Sequence, residues 1–377
     1  MSVTVLLAGG GTGGHVFPLI AIADALKEIS SDCRVVFVGT RRGLEAKIVP
    51  AHGFPLEFLD IRPLRGVGFS GALRGVARAI GVMPESVRLL KRETPDVVLS
   101  VGGYAAGPIT FAAWALGIPS ALLEPNSEMG LSNRCMASLV DRAYTAFESV
   151  EAHFSPTRVL RTGVPLRAGF TPRPWTVHDG PLRVLVLGGS QGALALNETV
   201  PEAVSKIGIA VEVTHQCGNT HVQDVRTRYE RLGYANVKLV PFIEDMPSAL
   251  KWADVVVSRS GASAVSEICA VGRASILIPY PFAAGAHQHK NAMALAKAGA
   301  AYCLDSKLAT PEKINEVLLQ LANDRQRLIE MCAASQRLGR PDAAGTIARD
   351  LLDLAKQKGS KCKSSARSNA AAHRAEA

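Results

Sequence analysis

Residues 3–29 read VTVLLAGGGTGGHVFPLIAIADALKEI, and this stretch decides the fold class. A run rich in Val and Leu ends on the glycines of residues 9–15, and the positions from Pro18 to Ile29 follow a helical pattern. A strand that feeds a glycine loop and then a helix is the opening of a parallel βαβ unit. Glycines lack a Cβ, so the backbone can turn sharply and approach a ligand, and the N–H groups of a helix start favour anionic oxygens.

The same grammar continues outward. Buried strands are predicted at 34–39, 96–100, 120–123 and 142–145, and 161–165 reads as a crossing between lobes. It then restarts: strand 182–187 feeds the glycines of 188–192 and a helix from about Ala193, with strands following at 210–214, 237–240, 255–258 and 275–278. This predicts an α/β protein of two doubly wound Rossmann-like domains, 1–163 and 164–340. Ile347, Ala348, Leu351, Leu352, Leu354 and Ala355 give the segment 341–355 an apolar helical stripe, expected to dock back on the first domain. The tail 356–377 lacks a core-forming pattern and is expected to be disordered.

Composition narrows the function classes. With 377 residues, 47% of them hydrophobic, the chain can build packed cores; 20% charged and 5% aromatic residues exclude a disordered polyelectrolyte or an aromatic base-stacking protein. The net charge of +9 is concentrated in two places. Residues 62–92 carry seven cations against Glu85, and the tail carries six against Glu376, so the remainder is slightly acidic. Local basicity of this kind points to a local anionic partner. Seven widely spaced cysteines without a CxxC indicate neither a disulfide framework nor a zinc site, which fits a reducing cytosol. The longest apolar stretch, 109–123, is interrupted by Gly117 and Pro119, and no segment is expected to span a membrane or direct export.

Several residues could carry chemistry. The glycine run contains G-x-G-x-x-G, but a nicotinamide oxidoreductase would place an acid at the end of the second strand for the ribose, and that strand ends Val38, Gly39, Thr40. His15, directly after the glycines, either takes a proton from an attacking hydroxyl or merely caps the loop or bonds a neighbouring carbonyl. Ser190, in the second glycine loop, either donates to a diphosphate or acts as a helix N-cap. A third glycine loop, 102–107, follows the strand at 96–100. Ser263 and Glu267 share a helix face, where the carboxylate could accept two ribose hydroxyls or simply favour the helix start. No Asp-x-Asp or clustered metal-ligand pattern is present, so no metal and no cofactor is expected.

Seven motifs in register carry a specific resemblance: GGGTGGH at 9–15, VGGYAAGP at 101–108, GLSNR at 130–134, GGSQGA at 188–193, FIEDM at 242–246, SGASAVSE at 260–267 and HQHKNA at 287–292. Together they resemble glycosyltransferase family 28, specifically the bacterial UDP-N-acetylglucosamine:N-acetylmuramyl-(pentapeptide) pyrophosphoryl-undecaprenol N-acetylglucosamine transferases. The resemblance implies a GT-B fold, two Rossmann-like domains facing across a cleft. It also implies inverting transfer of N-acetylglucosamine from UDP-N-acetylglucosamine to the 4-hydroxyl of an undecaprenyl-diphosphate-linked N-acetylmuramyl-pentapeptide. Carried over residue by residue, it gives Thr12, Gly13 and Gly14 to the border of donor sugar and acceptor diphosphate, and His15 the role of general base. Asn126 and Gln288 would contact the donor sugar, Arg167 and the backbone of Ile243 the uracil, and Ser190 the donor phosphate. Ala262, Ser263, Ala264, Val265, Ser266 and Glu267 would line sugar and ribose, with Glu267 on the ribose hydroxyls.

This chain departs from the family pattern in three places. Pro125 stands between Glu124 and Asn126 where Gln is usual, Val164 stands between Gly163 and Pro165 where Asn is usual, and His287 replaces the first Gln of a pair. The implied acceptor is membrane-bound, which places the protein peripherally on the cytoplasmic face of the inner membrane. Leu73, Val76, Ala77 and Ile80 fall at helical spacing beside Arg74 and Arg78. They read either as an apolar face bordered by cations on an anionic membrane surface or as a core-packed helix with a solvated basic face. No nucleic-acid motif is evident. The alternatives are another GT-B UDP-sugar enzyme, such as a UDP-sugar 2-epimerase, and more remotely an NAD-dependent oxidoreductase.

Overall fold

The structure, a computed structural model, describes residues 2–60, 69–103, 105–189, 191–283 and 286–357, and for 69–80 the backbone alone. The chain forms two compact units. The first comprises Met1–Pro125, Met129–Arg167 and the segment from Asp342; the second comprises Asn126–Glu128 and Ala168–Pro341.

The first unit runs β1 (Thr4–Ala8), α1 (Gly13–Ile29), β2 (Arg34–Gly39), α2 (Glu45–Ala51), β3 (Leu56–Phe58), α3 (Phe69–Glu93), β4 (Val97–Ser100), α4 (Ala106–Ala115), β5 (Ser120–Glu124), α5 (Leu131–Met136), β6 (Arg142–Thr145) and β7 (Val159–Arg161). Its seven strands lie in the order β3-β2-β1-β4-β5-β6-β7, all parallel. Successive side chains of a strand face opposite ways. Val5 and Leu7 therefore join Leu19, Ile20 and Phe37 on one side, while Leu6 and Ala8 meet Leu90, Ile109 and Ala112 on the other. A strand buried on both faces needs an unbroken apolar run, which is how β1 reads in the sequence.

The second unit repeats the plan with β8 (Leu182–Leu187), α6 (Leu194–Ser205), β9 (Val211–Gln216), α7 (Val222–Arg231), β10 (Val237–Val240), α8 (Met246–Trp252), β11 (Val255–Ser258), α9 (Ala262–Val271), β12 (Ala274–Leu277), α10 (His287–Lys297), β13 (Ala301–Cys303), α11 (Pro311–Asn323) and α12 (Arg325–Leu338). Its parallel sheet has the order β10-β9-β8-β11-β12-β13.

A last helix, α13, spans 343–357 and packs in the first unit. Ile347, Ala348 and Leu351 are fully buried against the cluster of Val5, Leu7 and Tyr144. Asp350 accepts from Arg142 Nε at 2.8 Å and from Tyr144 Oη at 2.7 Å, and burial raises the Tyr144 phenol well above its ordinary range. Each fully buried Ile or Leu side chain contributes about 1.5–3 kcal/mol, so this docking is a substantial part of the unit's core.

Both sheets place their strand order's reversal beside the first strand. The chain leaves β1 toward β2 and β3, then returns to the other side for β4; β8 and β11 stand in the same relation. In open parallel sheets of this kind, ligands bind beyond the carboxyl ends of the strands at that reversal. The loops after β1, β4 and β8 are the three glycine loops of the sequence reading, and the one after β11 opens the SGASAVSE motif.

Candidate active site

In the first unit, α1 starts at Gly13, inside the glycine run rather than at Pro18, so His15 sits in its first turn. The N–H groups of His15 and Val16 both donate to Thr12 O, at 3.1 and 3.2 Å. Thr12 and Gly14 are exposed, whereas Gly13 and His15 are half-buried. His15 Nδ1 lies 3.0 Å from Gly10 O. A carbonyl only accepts, so Nδ1 carries the hydrogen in this bond, and the neutral ring keeps its lone pair on Nε2. The bond fixes the orientation of the ring.

The loop after β4 touches this one through backbone. Gly102 and Gly103 have φ of +96° and +85°, and a Cβ at Gly103 would lie 2.8 Å from Gly10 O. Only glycine satisfies both the left-handed backbone and that approach. Beneath it, Asn133 donates from Nδ2 to the buried carboxylate of Glu124 at 2.9 Å, which also accepts from Gly130 N at 3.2 Å. GLSNR is thereby tied to the end of β5, and Asn133 packs against Gly102, where an added Cβ would lie 3.2 Å from its Oδ1.

A residue that sequence reasoning passed over also belongs to this constellation. Glu45, at the start of α2, is 1% exposed. Its carboxylate accepts from Gly11 N at 2.7 Å and from Thr40 N and Oγ1 at 2.8 and 2.9 Å. An acid does therefore stand near the end of the second strand, but it is turned inward and consumed by these bonds. Arg167, implied by the resemblance for the uracil, belongs to the first unit, where its guanidinium lies 5.5 Å from the Phe17 ring.

In the second unit, the loop after β8 is packed backbone to backbone against the end of β9. A Cβ at Gly192 would lie 2.0 Å from Cys217 O, and one at Gly218 2.4 Å from Gln191 O. Gln216, almost fully buried, donates from Nε2 to Gly189 O at 2.8 Å and accepts at Oε1 from Ile243 N at 3.1 Å. The Ile243 N–H is engaged by this bond. Behind them His215 bonds Asn197 Oδ1 at 3.1 Å and the Tyr229 hydroxyl at 3.0 Å, and burial pushes the imidazole down to about 3.

The loop after β11 leads into α9 at Ala262. Ser263 and Glu267 are half-buried on it, as are Ala264 and Ser266, whereas Ala262 and Val265 are buried. Ser260 Oγ donates to Gln288 O at 2.8 Å. Gln288 Oε1 accepts from Tyr280 N at 2.9 Å, so the amide presents Nε2 as a donor. Asn291, fully buried and part of the HQHKNA motif though given no role in the sequence reading, donates to Ser260 O at 3.1 Å. Its Oδ1 accepts from Ser127 N and Oγ at 3.0 and 2.7 Å, which fixes the chain next to Asn126. Lys290 pairs with Glu128 in the same segment.

Ser190, the side chains of Leu73, Arg74, Val76, Ala77, Arg78 and Ile80, and the tail from residue 358 lie outside the described residues. Among the described residues no three His, Cys, Asp or Glu side chains converge as a metal site.

The N-terminal domain of glycosyltransferase family 28 matches residues 5–145 and its C-terminal domain residues 183–347. The chain is 49% identical to the UDP-N-acetylglucosamine--N-acetylmuramyl-(pentapeptide) pyrophosphoryl-undecaprenol N-acetylglucosamine transferase of Sorangium cellulosum, over 94% of this chain and 89% of that protein. It is 42% identical to the enzyme of the same name from Syntrophotalea carbinolica, over 92% and 97%. Among solved structures, Acinetobacter baumannii MurG is similar with a TM-score of 0.78 and 31% identity, covering 93% of this chain and 99% of that one. The UDP-GlcNAc 2-epimerase of Neisseria meningitidis is similar at a TM-score of 0.65 but 14% identity, over 94% and 100%, a likeness of fold alone.

Proposed function

The chain belongs to glycosyltransferase family 28 and, within it, to the N-acetylmuramyl-(pentapeptide) pyrophosphoryl-undecaprenol N-acetylglucosamine transferases, and from that premise we infer how its residues divide the reaction. It transfers N-acetylglucosamine from UDP-N-acetylglucosamine to the lipid-linked N-acetylmuramyl-pentapeptide, a step of peptidoglycan synthesis.

The 4-hydroxyl of the muramyl sugar attacks the anomeric carbon of the donor. As the new C–O bond forms, the bond to the diphosphate breaks, and the configuration inverts. His15 Nε2 takes the hydroxyl proton. The observation that carries this role is the 3.0 Å bond from Nδ1 to Gly10 O, which fixes the ring and its tautomer. Thr12, Gly13 and Gly14 border the acceptor diphosphate and donor sugar.

On the donor side, Ser190 and the amides of its loop stabilise the departing diphosphate. Glu267 accepts the ribose hydroxyls, the Ile243 carbonyl accepts from uracil N3–H, and Arg167 also serves the uracil. Asn126 and the Nε2 of Gln288 donate to the sugar, and 262–266 line it. Pro125 and His287 alter the immediate neighbours of Asn126 and Gln288, but Asn291 ties the Ser127 segment to Ser260 and the Ser260 hydroxyl bonds Gln288 O, which supports the donor-sugar assignment.

The acceptor is a lipid, and no helix among the described residues is long and apolar enough to cross a membrane. Peripheral attachment at the cytoplasmic face of the inner membrane, through the cations of 62–92 on anionic headgroups, accounts for access to it; no nucleic acid is required. Incubation with UDP-N-acetylglucosamine and a short-chain acceptor lipid tests the function. A disaccharide-pentapeptide lipid is the expected product, and UDP-N-acetylmannosamine would mark an epimerase instead.

A further inference from the structure

We propose that Glu45 is a positioning residue for His15, acting through the peptide that joins Gly10 to Gly11; the proposal rests on the reading of His15 as general base. The C=O of Gly10 and the N–H of Gly11 belong to one planar group. On one side its N–H donates to Glu45 Oε2 at 2.7 Å, and on the other its carbonyl accepts from His15 Nδ1 at 3.0 Å. Carboxylate, peptide and imidazole form one hydrogen-bonded chain.

The site is built around that carboxylate. A Cβ at Gly10, Gly39 or Gly43 would come within 2.3, 2.5 and 2.0 Å of the Glu45 side chain, so three glycines admit it into the loop. No cation among the described residues pairs with it; its oxygens are satisfied by Gly11 and Thr40. Burying a carboxylate is costly unless hydrogen bonds compensate, and this one is retained directly behind the proposed base.

The physical effect follows from polarisation along the chain. A negative charge at the N–H of a peptide increases the electron density of its carbonyl oxygen and strengthens the bond that oxygen accepts. Glu45 therefore favours hydrogen at Nδ1, holds Nε2 free, and stabilises the imidazolium formed once Nε2 takes the acceptor's proton. It also occupies the Gly11 N–H, which in a phosphate-binding loop would be offered to the ligand. The Gly10–Gly11 peptide of the first glycine loop is thereby given to orienting an imidazole, while Thr12, Gly13 and Gly14 remain for the substrates.

A double-mutant cycle with Glu45→Gln and His15→Ala tests this. Glu45→Gln keeps the size and its one oxygen can still accept from Thr40, but it removes the charge and the acceptor for Gly11 N; kcat should fall about 10- to 100-fold with the KM for UDP-N-acetylglucosamine unchanged. In the His15→Ala background the same change should cost less than about twofold, because residues acting as a unit are not additive. Imidazole 15N spectra should show hydrogen on Nδ1 of His15 in the wild type and a shift toward Nε2 in Glu45→Gln. Glu45→Asp, with its charge retained, should recover part of the kcat, and it carries the cycle if Glu45→Gln does not fold. Additive losses, or an unchanged tautomer in a folded Glu45→Gln protein, would overturn the proposal. Full turnover by His15→Ala would overturn the base reading separately, and the tautomer measurement would then decide the Glu45 coupling by itself.

Discussion

Gln216 holds Ile243 and the second glycine loop at once: its Oε1 accepts from Ile243 N at 3.1 Å while its Nε2 donates to Gly189 O at 2.8 Å. One buried side chain thus sets the spacing between the segment proposed for the uracil and the loop proposed for the diphosphate. Gln216→Ala leaves both backbone groups without this partner, at about 1–3 kcal/mol for each that stays buried. UDP affinity measured by calorimetry should fall at least several-fold, with kcat at saturating donor less affected.

Glu267 is expected to act on the ribose. Glu267→Ala should raise the KM for UDP-N-acetylglucosamine about 10- to 100-fold, in line with loss of charge-assisted hydrogen bonds. The sharper check is a 2′-deoxyribose donor: the wild type should discriminate against it, and the variant should lose most of that discrimination.

His215 makes the stability of the second unit pH-dependent. Burial lowers its imidazole from the ordinary 6.5 to about 3, so between those values the unfolded chain binds a proton that the folded chain refuses. This contribution to stability is complete above about pH 6.5 and is lost progressively as the pH falls toward 3. Urea unfolding at pH 7.5 and 4.5 should show a smaller difference in His215→Gln than in the wild type.

Gly192 tests the backbone packing behind the donor loop. Its φ of +79° and the 2.0 Å that would separate an added Cβ from Cys217 O leave no room for a side chain, so Gly192→Ala should cost about 2 kcal/mol or more. Gly261, where a Cβ would meet nothing within 4 Å, is the control, and Gly261→Ala should leave Tm nearly unchanged.

The parts of the fold that are legible in the sequence are those where a local pattern and the tertiary demand coincide. β1, β4, β8 and β11 are central strands, buried on both faces, and each announces itself as a short apolar run ending near a glycine loop. β3, β7 and β13 escape that pattern: each is three residues long, two lie at sheet edges within the first unit and one at the edge of the second, and their residues are mostly half-buried, so no apolar run marks them. The sequence pattern places the start of α1 late because glycines read as loop, whereas here they supply the first helical turn. His15 stands out through its place after the glycines. Glu45, Gln216 and Asn291 do not, because their roles are long-range bonds to Gly11, Ile243 and Ser127 that no spacing along the chain reveals. A glutamate at a helix start also has an ordinary explanation in the helix dipole, which masks the buried one.

Turnover of UDP-N-acetylglucosamine and a short-chain acceptor lipid by His15→Ala, alongside its UDP affinity, tests the proposed catalytic base most directly. The arrangement of His15 on Gly10 predicts a kcat lowered about 10²- to 10⁴-fold with the Kd for UDP unchanged. Wild-type turnover by a folded His15→Ala protein would contradict it.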